Sequence, residues 1–177
     1  GDLVLGTNVS SNEYLMLQGG QFSKSRKHAV WLPSFLERYD ADCLRYYLSI
    51  NMPETHDTDF RWEEFVDRVN NELIGTYGNF VHRVMTLTNR LATGKGNPVQ
   101  KYDDIEKYSE IISQCEDLVR SAIESMERQR FKEALRSIMS IAQIGNQLLQ
   151  RCAPWKYLKS EESLEKNDSL SGLALSW

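Results

Sequence analysis

The chain has 177 residues, 41% of them apolar and 26% charged, the make-up of an ordinary soluble globular protein with one real core and room for a small appendage. No apolar run approaches the roughly 18 residues that a membrane-spanning helix needs, and Gly1–Leu5 carries no basic leader, so neither a span nor a signal peptide is expected. Cys43, Cys115 and Cys152 are odd in number, far apart and set among apolar residues. They read as reduced, buried thiols of a cytoplasmic protein, and no disulfide frame or metal site is expected.

A net charge of −4 argues against a globally basic nucleic-acid binder, but the charge is unevenly spread. No Asp or Glu occurs in Tyr14–Leu36, Leu73–Tyr102 or Ala134–Ser160. Those 80 residues hold 11 Lys or Arg, whereas the other 97 hold all 25 acids and 10 Lys or Arg. Segments that touch phosphate would be kept free of carboxylates in this way, because like-charge repulsion there is uncompensated; clustering by chance is the alternative.

In chain order, Tyr14–Leu17 is a short strand-like run broken by Gly19-Gly20. Two short helices follow, Trp31–Tyr39 with Pro33 at a tolerated early position, and Ala41–Ile50. Pro53–Asp57 reads as a connector. From Arg61 the period lengthens: Trp62, Val66, Val69, Leu73, Tyr77, Phe80, Val84, Leu87 and Leu91 recur every three or four residues, as one stripe of a long helix. Asp59 is its expected N-cap, and Thr93–Pro98 its stop. A second helix carries Ile105, Tyr108, Ile112, Cys115, Val119, Ala122 and Met126, and a third Leu135, Ile138, Ala142, Gly145, Leu148 and Cys152, ending at Pro154. A fourth begins near Asp168 and runs to Trp177. The expected fold is therefore mainly α: a small mixed α/β segment over residues 1–56, then an antiparallel helical bundle over 57–177.

Two places carry chemistry. Gly19-Gly20-Gln21-Phe22-Ser23-Lys24-Ser25-Arg26 is a glycine-loosened loop with Lys24, Arg26 and Lys27 and no carboxylate within ten residues of Lys24. Such a loop suits a phosphate that must be gripped and released, although Ser- and Lys-rich surface loops are common. On the long helix, Asn79, Arg83 and Arg90 fall within about 40° of one another at 100° per residue, on the flank of the apolar stripe. An amide beside a five-donor fork can read the edge of an unstacked RNA base. Trp155, held by Pro154 just past the third helix, would serve as a stacking plate. A surface-facing polar pair and a core Trp is the other reading of the same residues. His82, without a partner, reads as an exposed neighbour of Arg83.

Gln21-Phe22-Ser23-Lys24-Ser25 resembles the KMSKS loop of class I aminoacyl-tRNA synthetases. Asn12-Glu13-Tyr14-Leu15, Asp42–Leu48, Asp59–Phe65, Phe65–Asn70 and Ala153-Pro154-Trp155 resemble, in order, segments of the methionyl-tRNA synthetases. Gln21 and Phe22 depart from the motif's first lysine and methionine, so the likeness carries to Ser23, Lys24 and Ser25. It implies an ATP-binding loop of Phe22, Ser23, Lys24 and Ser25, with Lys24 catalytic on the phosphates as pyrophosphate leaves. It implies an anticodon site for CAU at Asn79, Arg83 and Trp155, with Pro154 and Gln150 beside them, and phosphate contacts at Arg90, Lys95 and Arg151.

The implied partners are methionine tRNA through its anticodon stem-loop, and, for a longer parent enzyme, ATP with magnesium and methionine. No nucleotide fold with a HIGH motif precedes Lys24, so the chain is expected to be a fragment that is inactive alone. Two rivals stay open: the anticodon domain of another class I synthetase (leucine, isoleucine, valine or cysteine), and a non-catalytic helical interaction module.

Overall fold

The computed structural model describes residue 6, residues 9–95 and residues 103–156, the side chains of 90–105 and 156 excepted. The elements run β1 (Leu15–Leu17), α1 (Leu32–Leu36), α2 (Ala41–Ile50), β2 (Thr58–Phe60), α3 (Trp62–Arg68), a π-helical segment (Val69–Gly78), α4 (Asn79–Lys95), a 3₁₀ turn (Asp103–Tyr108), α5 (Ser109–Glu127), α6 (Phe131–Cys152) and a last 3₁₀ turn (Pro154–Lys156). The chain is mainly helical, with one small parallel sheet. The expected fourth helix, Asp168–Trp177, and the helix stop at 96–98 lie outside the described residues.

β1 and β2 pair in parallel, with Leu15 opposite Thr58 and Leu17 opposite Phe60. Two aspartates finish the joint: Asp57 accepts from the Tyr14 N–H (2.9 Å), and both Asp59 oxygens accept from the Gly19 N–H (3.0 and 2.9 Å). Asp59 is thus no helix cap. Arg61 occupies that position without a side-chain cap, and its own guanidinium bonds Asp59 at 2.9 Å. The carboxylate serves the β1 turn instead, where the φ of +77° at Gly19 leaves an amide pointing at it. α2 has a true cap: the Asp40 side chain accepts from the Asp42 N–H at 2.8 Å.

Leu17, Phe35, Leu44, Tyr47, Phe60, Phe65 and Val69 form one buried cluster, with Tyr47 and Phe60 fully buried. It joins both strands to α1, α2, α3 and the first residue of the π segment, and its rings meet edge-to-face, Tyr47 to Phe60 at 5.0 Å and Tyr47 to Phe65 at 5.6 Å between centroids. The core therefore straddles residues 56 and 57, and the connector between them is tied in from both ends. Glu54 accepts from the Lys132 N–H at 3.0 Å, placing a carboxylate on the otherwise uncapped N-terminus of α6.

A single α-helical stripe does not continue from Trp62 to Leu91. Over Val69–Gly78 the helix widens to π, so residues there no longer advance by 100°. Val66 and Tyr77, expected on the apolar stripe, are 45% and 42% exposed, while Val69, Val84 and Leu87 stay buried. The widened turn is held from both sides. Tyr46 of α2 donates to Glu72 (2.5 Å), Arg68 bridges Glu64 and Glu72 (2.8 and 3.1 Å), and Asn146 of α6 donates to the Thr76 carbonyl (2.9 Å). Burial first, and then Glu72, push the Tyr46 hydroxyl well above the usual phenol range, so it stays a donor.

α6 lies in the middle. It runs antiparallel to α5 through a tight turn with Gln129 at φ +60°, and Ser121 and Ser137 meet across the pair at 3.5 Å. Against the long helix its order is parallel: Asn146 at Thr76, Gly145 at Phe80, and Leu149 with Val84 and Leu87. Gly145 is the contact point, because a Cβ there would fall inside the van der Waals surface of the Phe80 ring. The stripe of α5 is rotated slightly from the expected one: Cys115, Ala122 and Ser125 are buried, whereas Val119 and Met126 are 47% and 49% exposed. Cys115 is buried as expected, but Cys43 and Cys152 are only half-buried; all three are free thiols.

Gly145→Ala should lower stability by about 1–3 kcal/mol, the usual cost of forcing a methyl into a packed contact, and Phe80→Leu in the same chain should recover part of it. Thermal melting measures both; a Gly145→Ala chain as stable as wild type would contradict the crossing. Burial pushes the Cys115 thiol up to about 11, so the thiolate is scarce at neutral pH. Iodoacetamide at pH 7.5 should therefore label Cys115 many times more slowly in the folded chain than in urea, read by mass spectrometry of the Cys115 peptide.

Candidate phosphate loop and RNA-facing cleft

Residues 18–28 form a closed loop rather than a slack one. Leu17 and Gly20 exchange backbone hydrogen bonds (2.8 and 2.9 Å), as do Ser23 and His28 (2.8 and 2.9 Å). Inside the second pair the Lys27 N–H donates to the Lys24 carbonyl at 3.1 Å, with Lys27 itself in the left-handed region at φ +54°. Ser23 and Ser25 hydroxyls lie 3.3 Å apart, and Ser23 Oγ accepts from the Arg26 N–H at 3.3 Å. The His28 ring reaches back to the Leu17 carbonyl at 2.7 Å and pins the end of the loop to the strand that begins it.

That clasp was not foreseen from the sequence, since a histidine four residues past Lys24 carries no periodic signal. The result is a tight turn that presents Lys24, Ser25, Arg26 and Lys27 to solvent, together with Phe22 at 42% exposed. Lys24, Arg26 and Lys27 have no ion pair among the described residues. Three unpaired cations on a braced turn make a concentrated positive field suited to phosphate.

A second site lies where α4 meets the end of α6. Ala153 closes α6 in the left-handed region (φ +44°), its N–H donating to the Leu149 carbonyl at 2.9 Å, and Pro154 then starts a 3₁₀ turn. The reversal brings Trp155 back over the helix ends. Pro154 is buried and Trp155 is 40% exposed, so the proline anchors the turn while the indole keeps a face in solvent. Trp155 lines a cleft of about 310 Å³ with His82, Arg83, Thr86 and Leu87 of α4 and Gln150 of α6.

The fold thus brings together Arg83, Gln150 and Trp155, three of the residues singled out in the sequence. Asn79 stands one turn before Arg83 as the first residue of α4, half-buried and not part of the cleft wall. Arg151 is exposed beside Gln150 and also not on the wall. The side chains of Arg90 and Lys95 lie outside the described residues. His82 is exposed, as a neighbour of Arg83 should be, but it also lines the cleft, and Thr86 joins it one turn on; neither role was visible in the sequence. The wall holds a guanidinium, an imidazole, a hydroxyl, an amide, an indole and one aliphatic side chain, and no carboxylate. Among the described residues no group of three His, Cys, Asp or Glu could hold a metal, and no helix is long and apolar enough to cross a membrane.

Residues 1–85 match the family model described as tRNA synthetases class I (M). The chain is 40% identical over 168 residues to the methionine–tRNA ligase of Christiangramia forsetii, covering 94% of this chain and 24% of that protein. It is 39% identical over 155 residues to that of Pyrococcus abyssi, covering 88% and 21%. The chain thus spans about a quarter of the length of the curated relatives it matches. Among solved structures, Mycobacterium tuberculosis methionyl-tRNA synthetase in complex with methionyl-adenylate shares the fold, with a TM-score of 0.76 at 20% identity over 93% of this chain and 32% of that one. The chain is thus similar along nearly its whole length to one part of the methionine–tRNA ligases, and over residues 1–85 to the class I tRNA synthetase (M) model.

Proposed function

We propose that this chain works within a methionine–tRNA ligase as the part that joins the catalytic phosphate loop to the reading of the tRNA anticodon. Residues 1–56 carry the KMSKS-type loop and contact the tRNA stem, and residues 57–177 form the anticodon-binding bundle. The single observation that carries this reading is the cleft: Arg83, Gln150 and Trp155 converge on one carboxylate-free concavity with an indole half in solvent. A base stacks on the indole while hydrogen-bonding groups beside it meet the base edge, the arrangement that single-stranded RNA recognition requires. Asn79, one turn from Arg83 on the same helix, extends the polar edge toward a neighbouring nucleotide. The anticodon read in this way is CAU, and Arg90, Lys95 and Arg151 neutralise phosphates around it.

At the loop, methionine's carboxylate oxygen attacks the α-phosphorus of ATP, a P–O bond breaks, and pyrophosphate departs with the negative charge. Lys24, on a turn braced by His28 and the Ser23 hydroxyl, offers its ammonium to that charge as it develops. The turn is short and exposed, which suits a group that must engage phosphate in one step and release it in the next. ATP would arrive with its magnesium. The aromatic core common to α1, α2, β2 and α3 links the loop-bearing strand directly to the base of the long helix, so tRNA held at one end is oriented at the other.

In a full-length ligase carrying this sequence, Lys24→Ala should slow adenylate formation, measured by ATP–pyrophosphate exchange, with little change in methionine affinity. A defect confined to methionine binding would contradict the role. For the anticodon, Trp155→Ala should cost about 1–3 kcal/mol in binding a CAU stem-loop, the worth of one base stacked on an aromatic plate. Arg83→Ala should cost a similar amount and narrow the gap between CAU and mismatched anticodons. Asn79→Asp keeps size but removes the amide donors and should weaken CAU binding most at low salt. Circular dichroism should find all three folded; a Trp155→Ala chain that unfolds while the other two bind every loop normally would sink the assignment.

A further inference from the structure

The cleft is wider than the stacking pair alone requires. His82 and Thr86 form one i,i+4 row on α4, and Arg83 and Leu87 form the adjacent row; both rows line the same concavity, with Gln150 and Trp155 opposite. Arg83 supplies only donors. The Watson–Crick edge of each base in CAU also presents a donor of its own: the amino groups of cytosine and adenine and the ring N–H of uracil. A guanidinium cannot pair with any of them, so each such base needs an acceptor, and the one amide on the wall, Gln150, can meet one base edge and leaves its neighbour to other groups. In its neutral form an imidazole such as that of His82 offers one acceptor and one donor, and the hydroxyl of Thr86 can serve as either. Neither has a hydrogen-bond partner among the described residues, so both are available to a ligand. No carboxylate lines the wall to repel the RNA backbone.

We propose that His82 and Thr86 form a second base subsite, which reads the anticodon nucleotide next to the one stacked on Trp155. The proposal rests on the anticodon reading above and adds specificity-determining residues to it. The two rows then divide the work. Arg83 and Trp155 hold one base through donors and stacking, and His82 and Thr86 supply the acceptors for its neighbour. Because the rows differ by one residue along the same helix, the two bases are held side by side on a rigid surface.

The test uses the 177-residue chain and short RNA hairpins with CAU and with each of its three bases changed singly, binding being followed by fluorescence anisotropy. His82→Phe keeps a flat ring but loses both nitrogens; His82→Gln restores a polar terminus; Thr86→Val removes the hydroxyl at constant shape. His82→Phe and Thr86→Val should each weaken CAU binding about tenfold, the size of one lost base-edge hydrogen bond. Both should flatten discrimination at one anticodon position, different from the position flattened by Trp155→Ala. His82→Gln should recover part of the loss.

If the His82 and Thr86 variants discriminate like wild type while Trp155→Ala does not, the second subsite is wrong and the anticodon reading stands. Equal weakening of every hairpin would make His82 a phosphate contact and overturn the subsite as well. If the wild-type chain itself distinguishes no hairpin, both readings fall. Melting curves identify any variant whose loss is one of folding, and His82, exposed on its helix, should tolerate both replacements.

Discussion

The contact between the Phe80 ring and the bare backbone of Gly145 sets the geometry on which the cleft depends. Two helices can approach this closely only where one of them lacks a side chain, and the ring then fixes both their separation and their register. With Phe80 over Gly145, the next turns must follow: Val84 and Leu87 meet Leu149, and Arg83 comes level with Gln150. The chain reversal at Ala153 and the buried Pro154 then deliver Trp155 onto the same side. A shift of one residue in the crossing would move Arg83 by about 100° and open the wall.

The π segment serves the same end from the other direction. It lies between the aromatic core, which anchors α3, and α4, which carries the polar face of the cleft. Its extra width changes the rotation between those two parts, and the Tyr46–Glu72–Arg68 network and the Asn146–Thr76 bond hold that rotation fixed. The bonds of Tyr46 and Arg68 to the Glu72 carboxylate are charge-assisted, and the Asn146–Thr76 bond is partly buried. The braced turn around Lys24 is anchored to the same core through Leu17 and Asp59, so both candidate sites share one frame.

Much of the frame was readable from the chain. Ala41–Ile50 matches α2 residue for residue, and the run at Leu15–Leu17 and the third long helix with its end before Pro154 also stand where the pattern put them. The three-residue strand Thr58–Phe60 was not legible, because its partner lies forty residues earlier and a strand that short has no periodicity of its own. Asp59 looked like a cap because aspartate before an apolar run commonly is one; a distant amide, Gly19, outcompeted the helix for it. Tyr77 was assigned to the buried stripe on the assumption of 3.6 residues per turn, which the π segment breaks, whereas Val66 lies before that segment in α3, which buries Phe65 instead. In the cleft, Arg83, Gln150 and Trp155 were legible as candidates, but their convergence is tertiary. His82 and Thr86 could not be found without it, since nothing in the sequence relates the middle of α4 to the end of α6.

The central claim is that the surface formed by α4 and the end of α6 reads an RNA base sequence. Amide chemical-shift mapping of the ¹⁵N-labelled chain during titration with a CAU hairpin tests it most directly, with a second hairpin of identical stem and altered anticodon as the comparison. The account predicts shifts concentrated at residues 79–87 and 148–155, with the indole N–H of Trp155 among the largest, and a clear loss of those shifts for the altered anticodon. Shifts spread over unrelated faces, or identical for the two hairpins, would contradict it.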